Sequence, residues 1–190
     1  MRDRMFRKPQ SSGFSLLELL IALAVGSIIL VIGVPSFQGT LDNQRMTSAT
    51  NDLVMSLNLA KSEAIKRVAY VSVCKSSNGV SCTGTGWDDG WIVFANAAVA
   101  NLGSIDAGDE VIRVYPALRD EITVTSIGTV DDFLSFRPSG TVGTSIANMT
   151  GTLTTCDSRG VDYARGILLE SSGQWRVSHD LNHNGAALTC

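Results

Sequence analysis

The feature that most constrains this chain is an apolar segment near its N-terminus. Residues 14–37 (FSLLELLIALAVGSIILVIGVPSF) contain a single charged side chain, that of Glu18. A helix of this length extends about 36 Å, which exceeds the roughly 30 Å thickness of a bilayer's hydrocarbon core. Residues 1–13 carry four basic side chains and one acidic side chain, a net charge of +3. Because flanking positive charge stays on the cytoplasmic side, we expect a single-pass span that exports the rest of the chain.

Two ordinary explanations of this segment are a cleaved secretory signal and a plain membrane anchor. A secretory signal has a shorter apolar core, about 7–15 residues, followed by a small-residue cleavage site that residues 34–37 do not provide. A plain anchor does not explain Glu18, because a charge at the centre of a membrane helix costs roughly 2.5–3.5 kcal/mol and somewhat less near an end. If the chain were cut after Gly13, the new amine of Phe14 would lie four residues from Glu18, on the same helix face.

The order of residues around this point resembles a known processing site. Residues 13–20 (GFSLLELL) at the head of a long apolar helix resemble the class III leader of type IV prepilins and type II secretion pseudopilins. The resemblance implies that a prepilin peptidase cuts after Gly13 and N-methylates Phe14. It also implies that Glu18 pairs with the amine of an adjacent subunit during assembly. Pro35 falls where many members of this superfamily carry a helix-bending proline.

The rest of the chain predicts an α+β headpiece. A helical pattern continues through residues 38–68, with an apolar stripe at spacings of three and four formed by Met46, Ala49, Leu53, Leu57, Ala60, Ala64 and Val68. Runs rich in β-branched and aromatic residues then predict strands over 70–75, 91–95, 111–115, 122–127, 133–136, 151–155, 166–170 and 174–178. We therefore expect a long N-terminal helix packed on an antiparallel β-sheet, the pilin fold.

These boundaries divide the chain into three parts. Residues 1–13 are the expected leader peptide, and residues 14–37 are the transmembrane or filament-core half of the helix. Residues 38–190 are the expected periplasmic headpiece, made of the amphipathic helix half (38–68) and the β region (69–190). The whole chain has a net charge of -3. Removing the leader leaves 11 basic and 17 acidic side chains, so the mature chain has no excess of positive charge for nucleic-acid binding.

Three segments of the β region resemble one branch of the superfamily, the FimT/FimU/GspH branch. They are residues 86–94 (GWDDGWIVF), the turn at 136–140 (FRPSG), and residues 167–173 (ILLESSG). The tryptophans of the first segment are best interpreted as structural side chains that cap the core of a rigid turn. The resemblance implies a structural subunit rather than an enzyme, with no cofactor.

All four cysteines lie beyond the apolar segment, on the expected exported side. Cys74, Cys82, Cys156 and Cys190 predict two disulfides in an oxidising compartment. Three connectivities are possible, and proximity in sequence favours Cys74–Cys82, which leaves Cys156 to pair with Cys190. The second bridge would hold a C-terminal tail that otherwise frays.

Other site chemistries have weaker support. Residues 180–185 (DLNHNG) match the first half of an EF-hand loop, but the chain ends before the final glutamate, so we expect no metal. The two histidines, His179 and His183, lie in this polar tail, and no nucleophile motif accompanies them. Some FimT proteins are DNA receptors with a C-terminal G-R-x-R motif. The corresponding residues 173–176 (GQWR) keep only the second arginine, in a tail of net charge -1, so DNA binding is possible but disfavoured.

The function predicted from sequence is that of a minor pilin, a structural subunit that helps prime pilus assembly at or near the tip. The expected partners are the prepilin peptidase, other minor and major pilins or pseudopilins, and the inner membrane. A type II secretion pseudopilin of the GspH kind and a FimT-like DNA receptor remain as alternatives. The sequence does not separate a pilus from a secretion system, nor does it assign the neighbouring subunits.

Overall fold

A computed structural model describes residues 13–119 and 121–190, so all of the predicted leader except Gly13 lies outside the described residues. The chain divides into two units, residues 1–41 and 42–190. One long helix, α1 (Leu16–Arg67), contributes residues to both units. It is followed by eight strands: β1 (Val71–Lys75), β2 (Trp91–Ala95), β3 (Glu110–Tyr115), β4 (Ile122–Gly128), β5 (Phe133–Phe136), β6 (Gly151–Asp157), β7 (Arg165–Leu169) and β8 (Trp175–Ser178). The predicted fold class, α+β with a long N-terminal helix on antiparallel strands, is confirmed.

Local chemistry explains both ends of α1. At the start, the hydroxyl of Ser15 accepts a hydrogen bond from the Leu17 amide at 3.3 Å, and the Ser15 carbonyl accepts one from Leu19. Serine is a favoured capping residue because its oxygen satisfies an amide that the first turn leaves free. At the other end, Lys66 and Arg67 occupy the last turn, where basic side chains favour the helix dipole.

The predicted apolar stripe of α1 is correct except for its last member. Its other six members are at most 3% exposed and pack beneath the strands: Met46, Ala49, Leu53, Leu57, Ala60 and Ala64. Val68, however, is 76% exposed and lies beyond the helix end at φ 53°. The Ala69 amide donates back to the Ala64 carbonyl, which closes the helix with a left-handed residue. Val68 therefore belongs to the helix-terminating turn, not to the buried face.

The β region forms two antiparallel four-stranded sheets. Sheet A has the order β3-β2-β1-β5, and sheet B has the order β4-β6-β7-β8. Strand β5 leaves its sequence neighbour β4 and pairs with β1, in a register that places Val71 opposite Phe136. All five residues of β1 and of β2 are buried, because α1 covers one face of sheet A and loops cover the other. The main core joins Leu53 and Leu57 of α1 to both sheets.

Candidate functional site

The N-terminal unit presents apolar side chains on every described side of its helix. Most are more than half exposed: Phe14, Leu16, Leu17, Leu19, Leu20, Ile21, Leu23, Val25, Ile28, Ile29, Leu30, Val31 and Phe37. A helix that is apolar all round is one that is buried in its working state. These side chains are therefore surface that a membrane or neighbouring chains would cover.

Phe14 and Glu18 lie on one side of this apolar unit. They border a shared surface hollow together with Ile21 and Val25, as the four-residue spacing predicted. The carboxylate of Glu18 has no ion pair within the described part of the chain. The geometry therefore leaves Glu18 available to a group outside this chain or to an amine made at Phe14.

Pro35 lies within the helical range of α1, but its side chain is not among those described. Its predicted role as a helix bend therefore stays a prediction. Counting only the residues that the structure describes, no helix is both long and apolar enough to cross a membrane.

In the headpiece, the segment 86–94 acts as a structural junction between the two sheets. The Trp87 indole is fully buried and donates to the Asp131 carbonyl at 2.8 Å. The Asp88 carbonyl accepts the Leu118 amide, and its carboxylate accepts the Val124 amide of β4. These bonds hold a short 3-10 turn at the start of β2 against sheet B. The structural interpretation of the tryptophans therefore agrees with their burial.

Gly90 ends this turn in a conformation that a side chain would oppose. Its φ of 112° is in the left-handed half of the backbone map, and a Cβ at this position would lie 2.7 Å from the Tyr115 carbonyl oxygen. Glycine is required because the β2 entry passes directly against the chain leaving β3.

The other two segments that resemble the FimT/FimU/GspH branch, residues 136–140 and 167–173, contact each other. At Gly173, with φ 78°, an added Cβ would overlap the carbonyl oxygen of Gly140. The Lys61 ammonium donates to the Gly173 carbonyl at 2.8 Å and lies 5.4 Å from the centre of the Trp175 ring. Trp175 also meets Phe136 in an edge-to-face arrangement, with 6.3 Å between ring centres. Trp175 is thus a packed side chain rather than a free platform for stacking a base.

Both predicted disulfides are present. Cys74 bonds Cys82, eight residues away, and Cys156 bonds Cys190 across 34 residues. The second bridge fixes the C-terminal tail, whose Leu188 packs against Cys156 and Ala164. The connectivity favoured by proximity in sequence is therefore the connectivity in the structure.

The tail that resembled half of a calcium loop is organised by its own side chains. The Asn182 carboxamide oxygen accepts the amides of Asn184 and Ala186, and the His183 amide donates to Thr152 at 2.9 Å. Within the described residues, no three histidine, cysteine, aspartate or glutamate side chains gather as a metal site would require. The turn is thus accounted for by side-chain to backbone hydrogen bonds.

Several of the perturbed pKa values belong to ion pairs at the headpiece surface. Hydrogen bonds from Arg67 lower the pKa values of Glu63 and Glu110. The pair between Arg67 and Glu110 links the end of α1 to β3. Burial raises the pKa of Asp157, but the fork of hydrogen bonds from Arg159 outweighs it and leaves that pKa below the usual 3.8. None of these groups is joined to a nucleophile, so the shifts have a structural cause.

One further feature of the headpiece escaped prediction. A cavity of about 350 Å³ opens between residues 44–52 of α1 and the connection from β3 to β4. It is bordered by Asp52, Trp91, Tyr115 and Arg119, among others. The sequence placed Asp52 on a polar helix face and gave Arg119 no role. Since these residues come from three distant segments, the signal lies only in the folded arrangement.

Comparison with known protein families matches residues 49–185 to the family described as type II transport protein GspH. The chain belongs to this family. Residues 8–34 match the prokaryotic N-terminal methylation motif. The GspH family and this motif together define a pilin or pseudopilin subunit, a structural class not known for enzymes. A comparison with curated protein sequences gives no match.

Solved structures with this GspH-family fold include a type IV minor pilin. The chain is similar to the crystal structure of FimU from Pseudomonas aeruginosa PAO1 in space group P21, with a TM-score of 0.56 and 21% identity over 72% of this chain and 90% of the crystallised chain. The FimU crystal in space group P65 gives a TM-score of 0.53 and 18% identity, over 70% of this chain and 92% of that one. At this identity the likeness establishes the shared pilin fold.

Proposed function

We propose that this GspH-family protein is a minor pilin of a type IV pilus, a subunit that sits at or near the tip and helps prime assembly. The observation that carries the proposal is a methylation motif at residues 8–34 directly followed by a headpiece with the fold of a minor pilin. That combination joins a processed, apolar N-terminus to a compact exported domain. Both parts serve polymerisation rather than catalysis.

Processing would create the group that Glu18 needs. Prepilin peptidase would cut after Gly13 and methylate the amine of Phe14, leaving a positive charge on the first mature residue. The Glu18 carboxylate would then pair with the amine of an adjacent subunit inside the apolar interior of the fibre. Breaking such a buried pair by removing one partner is costly, because the other charge remains uncompensated in a dry environment. The pair therefore supplies register between subunits.

The topology that fits this role has a cytoplasmic leader and a periplasmic headpiece, anchored in the inner membrane before assembly. The net charge of +3 in residues 1–13 supports this orientation. Two disulfides in the headpiece support an oxidising exported location. The exposed apolar side chains of the N-terminal unit would be covered first by lipid and then by neighbouring subunits.

The test is incorporation of a Glu18→Gln variant into fibres in cells that lack the wild-type copy. We expect normal processing, because Gly13 and Phe14 are unchanged, but loss of the chain from sheared fibres. Ser27→Ala is the matched control, since Ser27 lies on the same helix and, among the described residues, its hydroxyl bonds only the nearby Ala24 carbonyl. Fibres that contain Glu18→Gln at the wild-type level would disprove the proposed role of this carboxylate.

A type II secretion pseudopilin is the second candidate, favoured by the description of the matched family. The two candidates share processing and fold, so a deletion strain separates them by phenotype. Loss of surface fibres with intact enzyme secretion supports the pilus, and the reverse supports the secretion system. DNA reception is less favoured, because Trp175 already contacts Lys61 and Phe136 and position 174 is glutamine.

A further inference from the structure

Two asparagine–glycine pairs occur in this chain, Asn78-Gly79 and Asn184-Gly185. Asparagine is a chemically labile residue, because the amide nitrogen of the following residue can attack its side-chain carbonyl carbon. A following glycine favours this attack, since it has no side chain to hinder the approach. Both pairs lie in loops, and the two glycines have similar positive φ values of 70° and 78°. The sequence therefore offers two equivalent sites, and the fold decides between them.

The carboxamide of Asn78 is held by hydrogen bonds on both its oxygen and its nitrogen. The oxygen accepts the backbone amides of Val80 and Ser81, each at 2.9 Å. The nitrogen donates to the Ser81 hydroxyl, also at 2.9 Å. A disulfide closes the same loop. Because these bonds fix the side chain in one orientation, several of them must break before its carbonyl carbon can turn toward the Gly79 amide.

The carboxamide of Asn184, by contrast, is free to rotate. Asn184 is exposed, and its side chain has no hydrogen-bond partner among the described residues. A Cβ added at Gly185 would meet nothing within 4 Å, whereas one at Gly79 would lie 3.2 Å from a side chain of β3. The glycine amides do not distinguish the two sites, because each donates one hydrogen bond at 3.1 Å, Gly79 to the Ser76 hydroxyl and Gly185 to the Asn182 carbonyl. The difference between the sites therefore lies in the asparagine side chain and the space around the glycine.

We propose that Asn184 is a site of spontaneous deamidation, and that the fold protects Asn78 from the same reaction. The Gly185 amide nitrogen loses its proton to hydroxide and attacks Cγ of Asn184, which forms a succinimide ring. The bond from Cγ to Nδ2 breaks, and that nitrogen leaves as ammonia after taking a proton from water. Water then opens the ring at either carbonyl, which gives aspartate or isoaspartate at position 184.

The reaction changes the turn that holds the C-terminal tail. Either product places a new negative charge close in sequence to Asp180. Isoaspartate also lengthens the backbone by one methylene group just before Gly185, and the amides of Gly185 and Ala186 both bond Asn182. These bonds should weaken, while the disulfide from Cys190 keeps the tail attached. The inference does not depend on the place of the chain in a fibre.

The test incubates the full, disulfide-bonded chain in detergent, in mildly alkaline buffer made with water enriched in the heavy isotope of oxygen. Each ring that opens during the incubation takes up this label, so mass spectrometry of the digested chain separates the reaction from earlier deamidation. The peptides that contain Asn78 and Asn184 are followed in the same sample. One control is the same chain reduced and unfolded in guanidinium chloride. The other is Asn184→Gln, which assigns the label within a tail peptide that also contains Asn182.

We expect the label to enter at Asn184 about tenfold faster than at Asn78 in the folded chain, or more, which is equivalent to about 1.4 kcal/mol in activation free energy. In guanidinium chloride the two rates should become similar, and Asn184→Gln should remove the label from the tail peptide. Equal rates in the folded chain, or a label that persists in Asn184→Gln, would overturn the inference. A difference that remains in the unfolded chain would overturn it as well, because the local sequence rather than the fold would then select the site.

Discussion

Removing the disulfide between Cys156 and Cys190 should destabilise the headpiece more than removing the one between Cys74 and Cys82. The bridges close loops with sequence separations of 34 and 8 residues. In the chain-entropy model, these loops contribute about 3.8 and 2.6 kcal/mol to the free energy of unfolding. The expected difference is about 1.2 kcal/mol in favour of the longer loop.

The C-terminal tail makes contacts whose loosening would report the loss of the disulfide between Cys156 and Cys190. Leu188 packs against Cys156 and Ala164, and a Cβ at Gly166 would meet the Leu188 side chain at 2.6 Å. The Thr125 hydroxyl donates to the Thr189 carbonyl at 3.1 Å. Without the bridge, these contacts must hold a free chain end against its own conformational entropy. The amides of Asn182 and Leu188 should therefore exchange with deuterium faster.

The assay is urea unfolding of the full chain in detergent, comparing paired cysteine-to-serine variants of each bridge with the wild type. We expect both variants to unfold at lower urea, with Cys156→Ser/Cys190→Ser the lower of the two. Hydrogen exchange of the tail amides gives the local measurement. Equal stability of the two variants, or an unchanged exchange rate at Asn182 and Leu188, would refute the reasoning.

Three further changes test the packing and electrostatics of the headpiece. Val68→Gly should raise the free energy of unfolding by about 1 kcal/mol, because it relieves a β-branched residue at φ 53°, and thermal unfolding measures this. Gly173→Ala should destabilise the chain by more than Gly160→Ala, since both glycines have positive φ but only Gly173 lies against another backbone; an equal loss in urea unfolding would contradict this. The pKa of Asp157 is lowered in the folded state, so its stabilising contribution is present above about pH 4 and disappears as the pH falls through the lower native pKa. Asp157→Asn should flatten the acid side of the stability profile, and an unchanged profile would exclude a role for the pair with Arg159.

Local patterns were sufficient to predict the elements of this fold. The apolar run and the period of three and four after it predicted α1 to one residue beyond its C-terminal end. Alternation bounded by turn residues predicted all eight strands to within two residues. The exception, Val68, shows the limit of periodicity. An apolar residue at the right spacing still lies outside the helix when it is itself the left-handed residue that ends the helix.

Those local patterns did not predict how the strands pair. The sequence predicted antiparallel strands, but not that β5 would leave β4 to pair with β1 and so divide the strands into two sheets. This pairing depends on burial by residues distant in sequence, because the side chains on both faces of β1 and β2 are buried. The processing site was readable because Gly13, Phe14 and Glu18 are close in sequence. The cavity was not, since Asp52, Trp91 and Arg119 come together only after folding.

The measurement that tests the central claim most directly is the mass of this chain's N-terminal peptide in purified, sheared fibres. The account predicts a peptide that begins with N-methylated Phe14 and retains Glu18, in fewer copies than the main subunit of the same fibres. A chain that keeps residues 1–13, or one that is absent from fibres while its mature form accumulates in the cell, would contradict the assignment as a minor pilin.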